Sequence, residues 1–265
     1  MKAKTSIFLL LLFFQFHALC FGQQINPFHP YTLIAHRGGV VGPDAPENSL
    51  AALETAIERG YQMVEIDLRL TKDSVLITQH DAHFRRYFNV DRLVSEMTWE
   101  EIRQLEHPSG YRVLRLEEAL AVCAGSIDVM LDNKISGFDE GIFREVVDLL
   151  DTYSLRKNAL MIGSSESTEF FTGKVRLSCS RAQLEANRSR ADYRPDHYYL
   201  FSRDISADDV VWADEEGIMA VAAINAFLYP EASLMVTALE KTTGMKQNGV
   251  RIFQIDGIFE EFFRE

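Results

Sequence analysis

Short apolar runs alternate with amphipathic helical stretches from residue 32 to the end of the chain, and this alternation limits the fold most strongly. The hydrophobic pattern predicts strands at 32–35, 63–70, 75–78, 127–131, 159–162, 175–178, 198–201, 219–224 and 252–255. The predicted helices are 49–59, 98–105, 116–123, 143–150, 207–215 and 231–242. Apolar strands that alternate with helices in this way are typical of a parallel sheet covered by helices.

The number of these units favours a closed barrel over an open sheet. About eight strand–helix units follow one another in about 240 residues, the length that such a barrel requires. No proline- or glycine-rich linker separates them. We therefore predict that residues 23–265 form a single α/β domain, a (β/α)8 or TIM barrel.

The first 22 residues have the pattern of a secretory signal peptide. Lys2 and Lys4 precede an unbroken apolar run at 7–14, which is too short to span a bilayer, and Gly22 offers a small residue for cleavage. We therefore expect export, to the periplasm or as a secreted protein, with no membrane span in the mature chain. An N-terminal membrane anchor is the alternative.

Charge and cysteine content narrow the class of partner. The 27 basic and 39 acidic residues give a net charge of −12, which argues against non-specific binding to nucleic acid. Three cysteines are too few for a disulfide scaffold. After export Cys123 and Cys179 could pair, but two buried small apolar side chains is the favoured interpretation. The sequence leaves the oligomeric state open.

Polar residues at the ends of the first strands carry the candidate chemistry. On strand 63–70, Glu65 and Asp67 are two residues apart, so their side chains share one face about 7 Å apart. Apolar Val64, Ile66 and Leu68 occupy the other face. Two carboxylates on an interior face repel one another unless a cation lies between them.

Further polar groups follow neighbouring strands. His36 and Arg37 follow strand 32–35, His80 follows strand 75–78, and Asp132 and Lys134 follow strand 127–131. Barrel active sites form at the carboxyl ends of the strands, so we expect these groups to meet there. Each one alone also fits a structural role, as a cap or an ion pair, but together they favour a catalytic site. His80 and His83 are spaced like zinc ligands, a weak signal without cysteines.

Four motifs follow in order across about 50 residues. They are His36-Arg37-Gly38, Pro46-Glu47-Asn48, Glu65-Ile66-Asp67 and His80-Asp81. In order and spacing they resemble the glycerophosphodiester phosphodiesterase family. The resemblance continues more weakly to Ile255-Asp256-Gly257 and implies a (β/α)8 barrel that hydrolyses phosphodiesters.

The resemblance also implies roles for individual residues. His36 and His80 correspond to the family's general acid and base, although which is which stays open. Glu65, Asp67 and Asp132 correspond to the ligands of a divalent cation, calcium or magnesium. A neighbouring hydroxyl of the substrate would attack first, and water would complete the hydrolysis.

The remaining site residues are predicted from their chemistry and their motifs. Arg37 and Lys134 offer positive charge that would offset the negative charge of a small-molecule phosphodiester in its transition state. Glu47, Asn48 and Asp81 are expected to support the site, because they belong to the same motifs.

Two departures from the family pattern bear on cation and substrate. Asp132 stands where the family usually has glutamate, which shortens that ligand by one methylene. Ala222 and Ala223 stand where many members have an aromatic side chain, which predicts weak binding of simple glycerophosphodiesters and room for a bulkier group. Alternatively, Phe201 or Phe227 supplies the aromatic face.

Two other functions compete with the leading one. A related barrel phospholipase, acting on phosphatidylinositol- or sphingomyelin-type head groups, would need an exposed apolar loop at the mouth. Phe84, Tyr87 and Phe88 are the candidates for that loop, and their burial under the rim is the favoured alternative. A non-catalytic ligand-binding barrel would need a lost catalytic group, and both histidines are present.

Overall fold

The computed structural model describes residues 26–264. The predicted signal peptide and its cleavage site lie outside the described residues. No helix within residues 26–264 has both the length and the apolar character that crossing a membrane would require.

Eight parallel strands in the described part of the chain close into a barrel. We number them β1 to β8: Thr32–Ala35, Met63–Leu70, Asp128–Asn133, Leu160–Ile162, Arg176–Cys179, Tyr198–Ser202, Met219–Ile224 and Ile252–Ile255. The barrel closes because β1 pairs on one side with β8 and on the other with β2. The predicted (β/α)8 barrel is thereby confirmed.

Helices surround the barrel, and the bounds predicted for three of them, 49–59, 116–123 and 207–215, hold to within one residue. The α-helices are Leu50–Glu58, Arg85–Phe88, Trp99–Ile102, Leu116–Cys123, Glu140–Thr152, Thr168–Phe171, Arg181–Asn187, Ala207–Glu216 and Leu234–Gln247. The 3-10 segments are Val94–Glu96, Pro195–His197, Ala226–Leu228, Glu231–Ser233 and Gly257–Phe263. The helix predicted at 98–105 is shorter because Leu105 N bonds to Ile102 O and closes a turn instead.

The segment between β2 and β3 adds short antiparallel strands outside the barrel. Leu76–Thr78 pairs with the end of β2, and Leu114–Arg115 pairs with Leu76–Thr78. A small hairpin, His83–Phe84 with Val90–Leu93, lies between them in sequence. His80 therefore follows an antiparallel extension of β2, which returns the chain to the carboxyl end of the barrel.

Alternation along the strands separates the two faces of the barrel wall. Side chains such as Ile34, Met63 and Met130 fill the barrel interior, and Val64 and Ile66 pack in the larger layer under the helices. These interior apolar side chains lie below the carboxyl ends of the strands. The next inward-facing positions, nearer those ends, can therefore carry polar groups. Cys123 and Cys179 are buried and unpaired, as the favoured interpretation expected.

Candidate active site

The turn after β1 forms one wall of the site and depends on left-handed backbone. Arg37 has a φ of 57°, and Gly38 and Gly39 follow at 77° and 136°. This path directs two backbone amides at Glu65: Arg37 N donates to its Oε2 at 2.6 Å, and Gly38 N donates to its carbonyl at 2.6 Å. The turn thus holds the end of β1 against β2.

Gly39 leaves no space for a side chain, which gives a stability prediction. A Cβ atom at Gly39 would lie 2.1 Å from the carbonyl oxygen of Ala52, in a backbone conformation that disfavours other residues. We expect Gly39→Ala to lower the free energy of unfolding by about 1–3 kcal/mol. Chemical denaturation would measure the loss. Gly42→Ala is the control, because no atom lies within 4 Å of its Cβ position, and an equal loss in both variants would contradict the steric argument.

Three carboxylates meet at the ends of β2 and β3. Glu65 and Asp67 alternate along β2 and are buried, and Asp67 is the register partner of Asp132 on β3. One oxygen from each lies within 4.8 Å of the others. The strand predicted at 127–131 runs instead to Asn133, because its pairing with β2 continues that far. Asp132 is therefore held inside a paired strand and does not follow its end.

Electrostatics show that the triad Glu65, Asp67 and Asp132 is short of positive charge. Burial, together with the charges of Asp67 and Asp132, raises the pKa of Glu65 well above its ordinary value. Lys134 Nζ lies 2.6 Å from Asp132 Oδ2 and 3.2 Å from Asp67 Oδ1. Burial alone would lower the pKa of Lys134, but these carboxylates raise it. One ammonium group faces three carboxyl groups, which leaves two negative charges when all are ionised.

The same residues fit a hard divalent cation. The ligand atoms are all carboxylate oxygens, the donors that such cations prefer. Glu65 Oε1 is buried and has no hydrogen-bond partner among the residues that the structure describes. Within residues 26–264, the triad is the one group of at least three His, Cys, Asp or Glu side chains whose ligand atoms lie close enough together to hold a metal ion. His80 and His83, which are spaced like zinc ligands in the sequence, do not belong to this group.

Asn48 supports the triad from the loop that precedes the first helix. Its Nδ2 donates to Asp67 Oδ2 at 2.8 Å, and its Oδ1 accepts from Asp67 N at 3.1 Å. Its own backbone N donates to Arg37 O at 2.8 Å, at a left-handed φ of 56°. The Pro-Glu-Asn motif therefore has a geometric reason, because this amide fixes both the backbone and the carboxylate of Asp67.

His36 forms a close pair with a carboxylate that the sequence analysis did not assign. His36 Nδ1 lies 2.7 Å from Asp256 Oδ1, and Asp256 Oδ2 accepts from Ala226 N at 2.6 Å. Burial would raise the pKa of Asp256, but the hydrogen bond and charge of His36 hold it below its usual range. Asp256 directly follows β8, and that end-of-strand position was the signal that could have identified it.

His80 is paired in the same way. Its Nδ1 lies 2.8 Å from Asp81 Oδ1, which also accepts from Arg86 at 2.7 Å. Burial alone would raise the pKa of Asp81, but the hydrogen bond with His80 and the charge of Arg86 hold it below its usual value. Arg69 donates twice to the carbonyl of His80, at 3.1 and 2.7 Å, which fixes the backbone. Glu47 forms ion pairs with both Arg37 and Arg86, and so links the turn after β1 to the segment after His80.

Each histidine thus has one ring nitrogen held by a carboxylate. A carboxylate only accepts hydrogen bonds, so Nδ1 carries the proton and Nε2 is left to exchange one. No hydrogen bond in the described part of the chain engages Nε2 of His36 or His80. Two such rings beside the carboxylate triad, one neutral and one protonated at Nε2, can remove one proton and donate another. The contacts above link nine of the ten residues predicted for the site, and the tenth, His36, is bonded in the chain to Arg37.

An aromatic ring lies at the mouth, although β7 does not supply it. Ala222 and Ala223 are buried, and Phe227, just beyond β7, is 59% exposed with its ring centroid 6.3 Å from that of His36. The guanidinium carbons of Arg37 and Arg203 lie 5.9 and 5.5 Å from its centre. The geometry therefore favours the alternative in which Phe227 supplies the aromatic face.

The aromatic residues after His80 pack under the rim. Phe84 is fully buried, and Tyr87 and Phe88 are half-buried. Phe88 stacks on Tyr111 with centroids 5.2 Å apart. These side chains support the small hairpin and do not present an apolar loop to solvent.

Comparison with known proteins supports the family resemblance that the sequence motifs indicate. The sequence model of the glycerophosphoryl diester phosphodiesterase family matches residues 36–187, more than half of the chain. The Bacillus subtilis protein YhdW, which carries a provisional glycerophosphodiester phosphodiesterase name, is 30% identical over 61% of this chain and 74% of its own length. The bovine glycerophosphodiester phosphodiesterase 1 is 34% identical, and the match covers 44% of this chain and 39% of that protein.

Solved structures share the fold. A glycerophosphoryl diester phosphodiesterase from Parabacteroides distasonis superposes with a TM-score of 0.69 at 25% identity, covering 87% of this chain and 85% of that one. An Oleispira antarctica phosphodiesterase, solved with its product sn-glycerol-3-phosphate, gives 0.67 at 20% identity and covers 88% and 97%. With its motifs, its barrel and these relatives in agreement, the chain belongs to the glycerophosphoryl diester phosphodiesterase family and is a phosphoric diester hydrolase.

Proposed function

We propose that this chain is an exported, cation-dependent enzyme that hydrolyses glycerophosphodiesters to an alcohol and glycerol phosphate by acid–base catalysis at His36 and His80. The observation that carries the proposal is the pair of histidines, each held by a carboxylate through Nδ1, beside three clustered carboxylates. A purely structural site has no need of two imidazoles that both keep a free nitrogen.

The chain's own groups account for binding and for both proton transfers. Arg37 and Lys134 attract the phosphate and offset the charge that develops on its non-bridging oxygens. One histidine takes the proton of the attacking hydroxyl as its oxygen bonds to phosphorus. The other, protonated at Nε2, gives that proton to the alkoxide as its bond to phosphorus breaks, which leaves a cyclic phosphate when the attacking hydroxyl is the substrate's own. Water then opens this ring with the two roles exchanged, which releases glycerol phosphate and restores both histidines. Asp256 and Asp81 hold the rings and stabilise whichever imidazolium forms.

Glu65, Asp67 and Asp132 would hold the divalent cation, calcium or magnesium. When bound, it would supply a positive charge that polarises the phosphoryl group. Two net negative charges remain on the triad and Lys134 when all are ionised, which suits a cation of charge two.

The packed rim supports small diesters over membrane phospholipids as substrates. Phe84 and Phe88 pack in an apolar cluster and Tyr87 packs edge-on against Tyr111, so they are not free to enter a lipid surface. Turnover of glycerophosphocholine and bis(p-nitrophenyl) phosphate, measured with calcium, magnesium and chelator, tests the proposal. Cation-dependent turnover of glycerophosphocholine supports it. Turnover of phosphatidylinositol or sphingomyelin alone, or no turnover, would contradict it.

Export rests on the sequence of residues 1–22 alone. The test is the N-terminal sequence of the protein recovered from outside the cytoplasm. A mature chain that begins at Gln23 is the expected result, and a chain that retains Met1 inside the cell would contradict it.

Asp256 is proposed as the positioning residue of His36. We expect Asp256→Asn to lower kcat about 10- to 100-fold with little change in KM, because the amide neither holds the same tautomer nor stabilises the imidazolium. The pH profile of kcat should shift as well, which a loss of packing alone would not cause. Asp148→Asn, on an exposed helix position, is the control. An unchanged kcat and pH profile in Asp256→Asn would refute the role.

A further inference from the structure

A cavity opens at the same end of the barrel as the catalytic groups. It measures about 510 Å³ and lies at the carboxyl ends of β4, β5 and β6. Its lining includes Gly163, Ser164, Thr168, Gln183, Asn187 and Phe201, and no charged residue lines it within the described chain. The size suits a small-molecule site, and hydroxyl and amide groups dominate its polar surface.

Strand register places the Gly163 edge of this cleft next to the strand neighbour of Asp132. Asp132 on β3 is the register partner of Ile162, the last residue of β4. Gly163, which lines the cleft, is the next residue in the chain. A diester whose phosphate lies over the triad can therefore extend one of its two substituents into the cleft.

Two amide side chains present unused hydrogen-bonding groups there. Gln183 and Asn187 are four residues apart on Arg181–Asn187, so they share a helix face. Gln183 Oε1 accepts from Ser180 N at 2.8 Å, and no partner of its Nε2 is found among residues 26–264. Asn187 Nδ2 has only a long contact with Cys179 Sγ at 3.9 Å, and its Oδ1 accepts no hydrogen bond in the same part of the structure. The face offers both donors and an acceptor.

The single ring in the cleft fits one class of head group better than another. Phe201 lines the cleft and leans on Tyr199, with ring centroids 5.9 Å apart. A quaternary ammonium group is usually bound by several aromatic faces or by acidic groups, and the cleft has one ring and no carboxylate. A sugar or cyclitol has hydroxyl groups for the amides and a carbon face for the ring.

We propose that this cleft binds a neutral polyhydroxylated head group, a sugar or a cyclitol, of the diester substrate. The inference rests on the proposed function for the position of the phosphate. It does not depend on which histidine is acid or base. Gln183 and Asn187 are the residues that set this specificity.

The test compares glycerophosphoinositol with glycerophosphocholine, using the purified protein with a divalent cation. Asn187→Leu removes the amide. Gln183→Glu keeps the oxygen that caps the helix and removes only the donor. We expect each variant to lower kcat/KM for glycerophosphoinositol about 2- to 12-fold per hydrogen bond lost. Asn187→Leu should leave kcat/KM for glycerophosphocholine unchanged, and Gln183→Glu, which adds a carboxylate to the cleft, should not lower it. Asn158→Leu, at the opposite end of the barrel, is the matched control.

A binding measurement separates this proposal from the proposed function. Calorimetric titration with free inositol should show binding to the unmodified protein and weaker binding to Asn187→Leu, whether or not the enzyme turns over any diester. If neither diester is hydrolysed but this difference persists, the proposed function fails and the cleft assignment stands. Equal inositol binding, or an equal loss of kcat/KM for both diesters, would overturn the cleft assignment.

Discussion

His36→Ala and His80→Ala should each lower kcat by about 10²–10⁴-fold, the usual contribution of one acid–base group. Neither ring is needed to hold the barrel together, because each contacts its carboxylate at the rim and not in the apolar core. The measurement is the steady-state rate with glycerophosphocholine at saturating substrate. Circular dichroism and a denaturation curve establish that the variants are folded.

A control variant at a third histidine shows whether the loss of any imidazole lowers kcat, or only the loss of His36 or His80. His107→Ala is the control, because His107 contacts Ser109 and the rim aromatics, and none of its contacts within residues 26–264 is with the triad, His36 or His80. It should keep full activity. Near-normal kcat in either His36→Ala or His80→Ala would remove that residue from the chemical step.

Chelation should abolish activity, and added calcium or magnesium should restore it, because Glu65, Asp67 and Asp132 repel one another and the phosphate without a cation. Asp132→Ala should be inactive and should bind less metal. Asp132→Glu should keep activity and shift the preference between the two cations, since it lengthens one ligand by a methylene. Activity assays show the first effects, and calcium titration by calorimetry shows the loss of binding independently.

The matched control for the metal site lies on the same strand. Asp128 is at the opposite end of β3 from Asp132, where its carboxylate accepts from Asn158. Asp128→Ala should leave metal content and activity unchanged. Full activity in excess chelator, with no metal detected by elemental analysis, would disprove the cation site.

The sequence by itself determined the fold class and the central side chains of the site. Period-two alternation in 63–70 is a local property, so it fixed which face of β2 carries Glu65 and Asp67 before any partner strand was known. The strand–helix alternation predicted the closed barrel because about eight such units follow one another. The spacing of the motifs then predicted that Arg37, Asn48 and His80 belong to the site. Their positions depend on turns between residues that are close in the sequence.

Only the tertiary structure decided which distant groups complete the site. Asp256 lies 220 residues from His36 in the chain, and they meet because β8 closes the barrel against β1. Arg86 reaches Asp81 only through the fold of the small hairpin, and Phe227 reaches His36 only because β7 lies near β1 in the closed sheet. Closure and register are collective properties of all eight strands, so no local pattern around these three residues could reveal their partners.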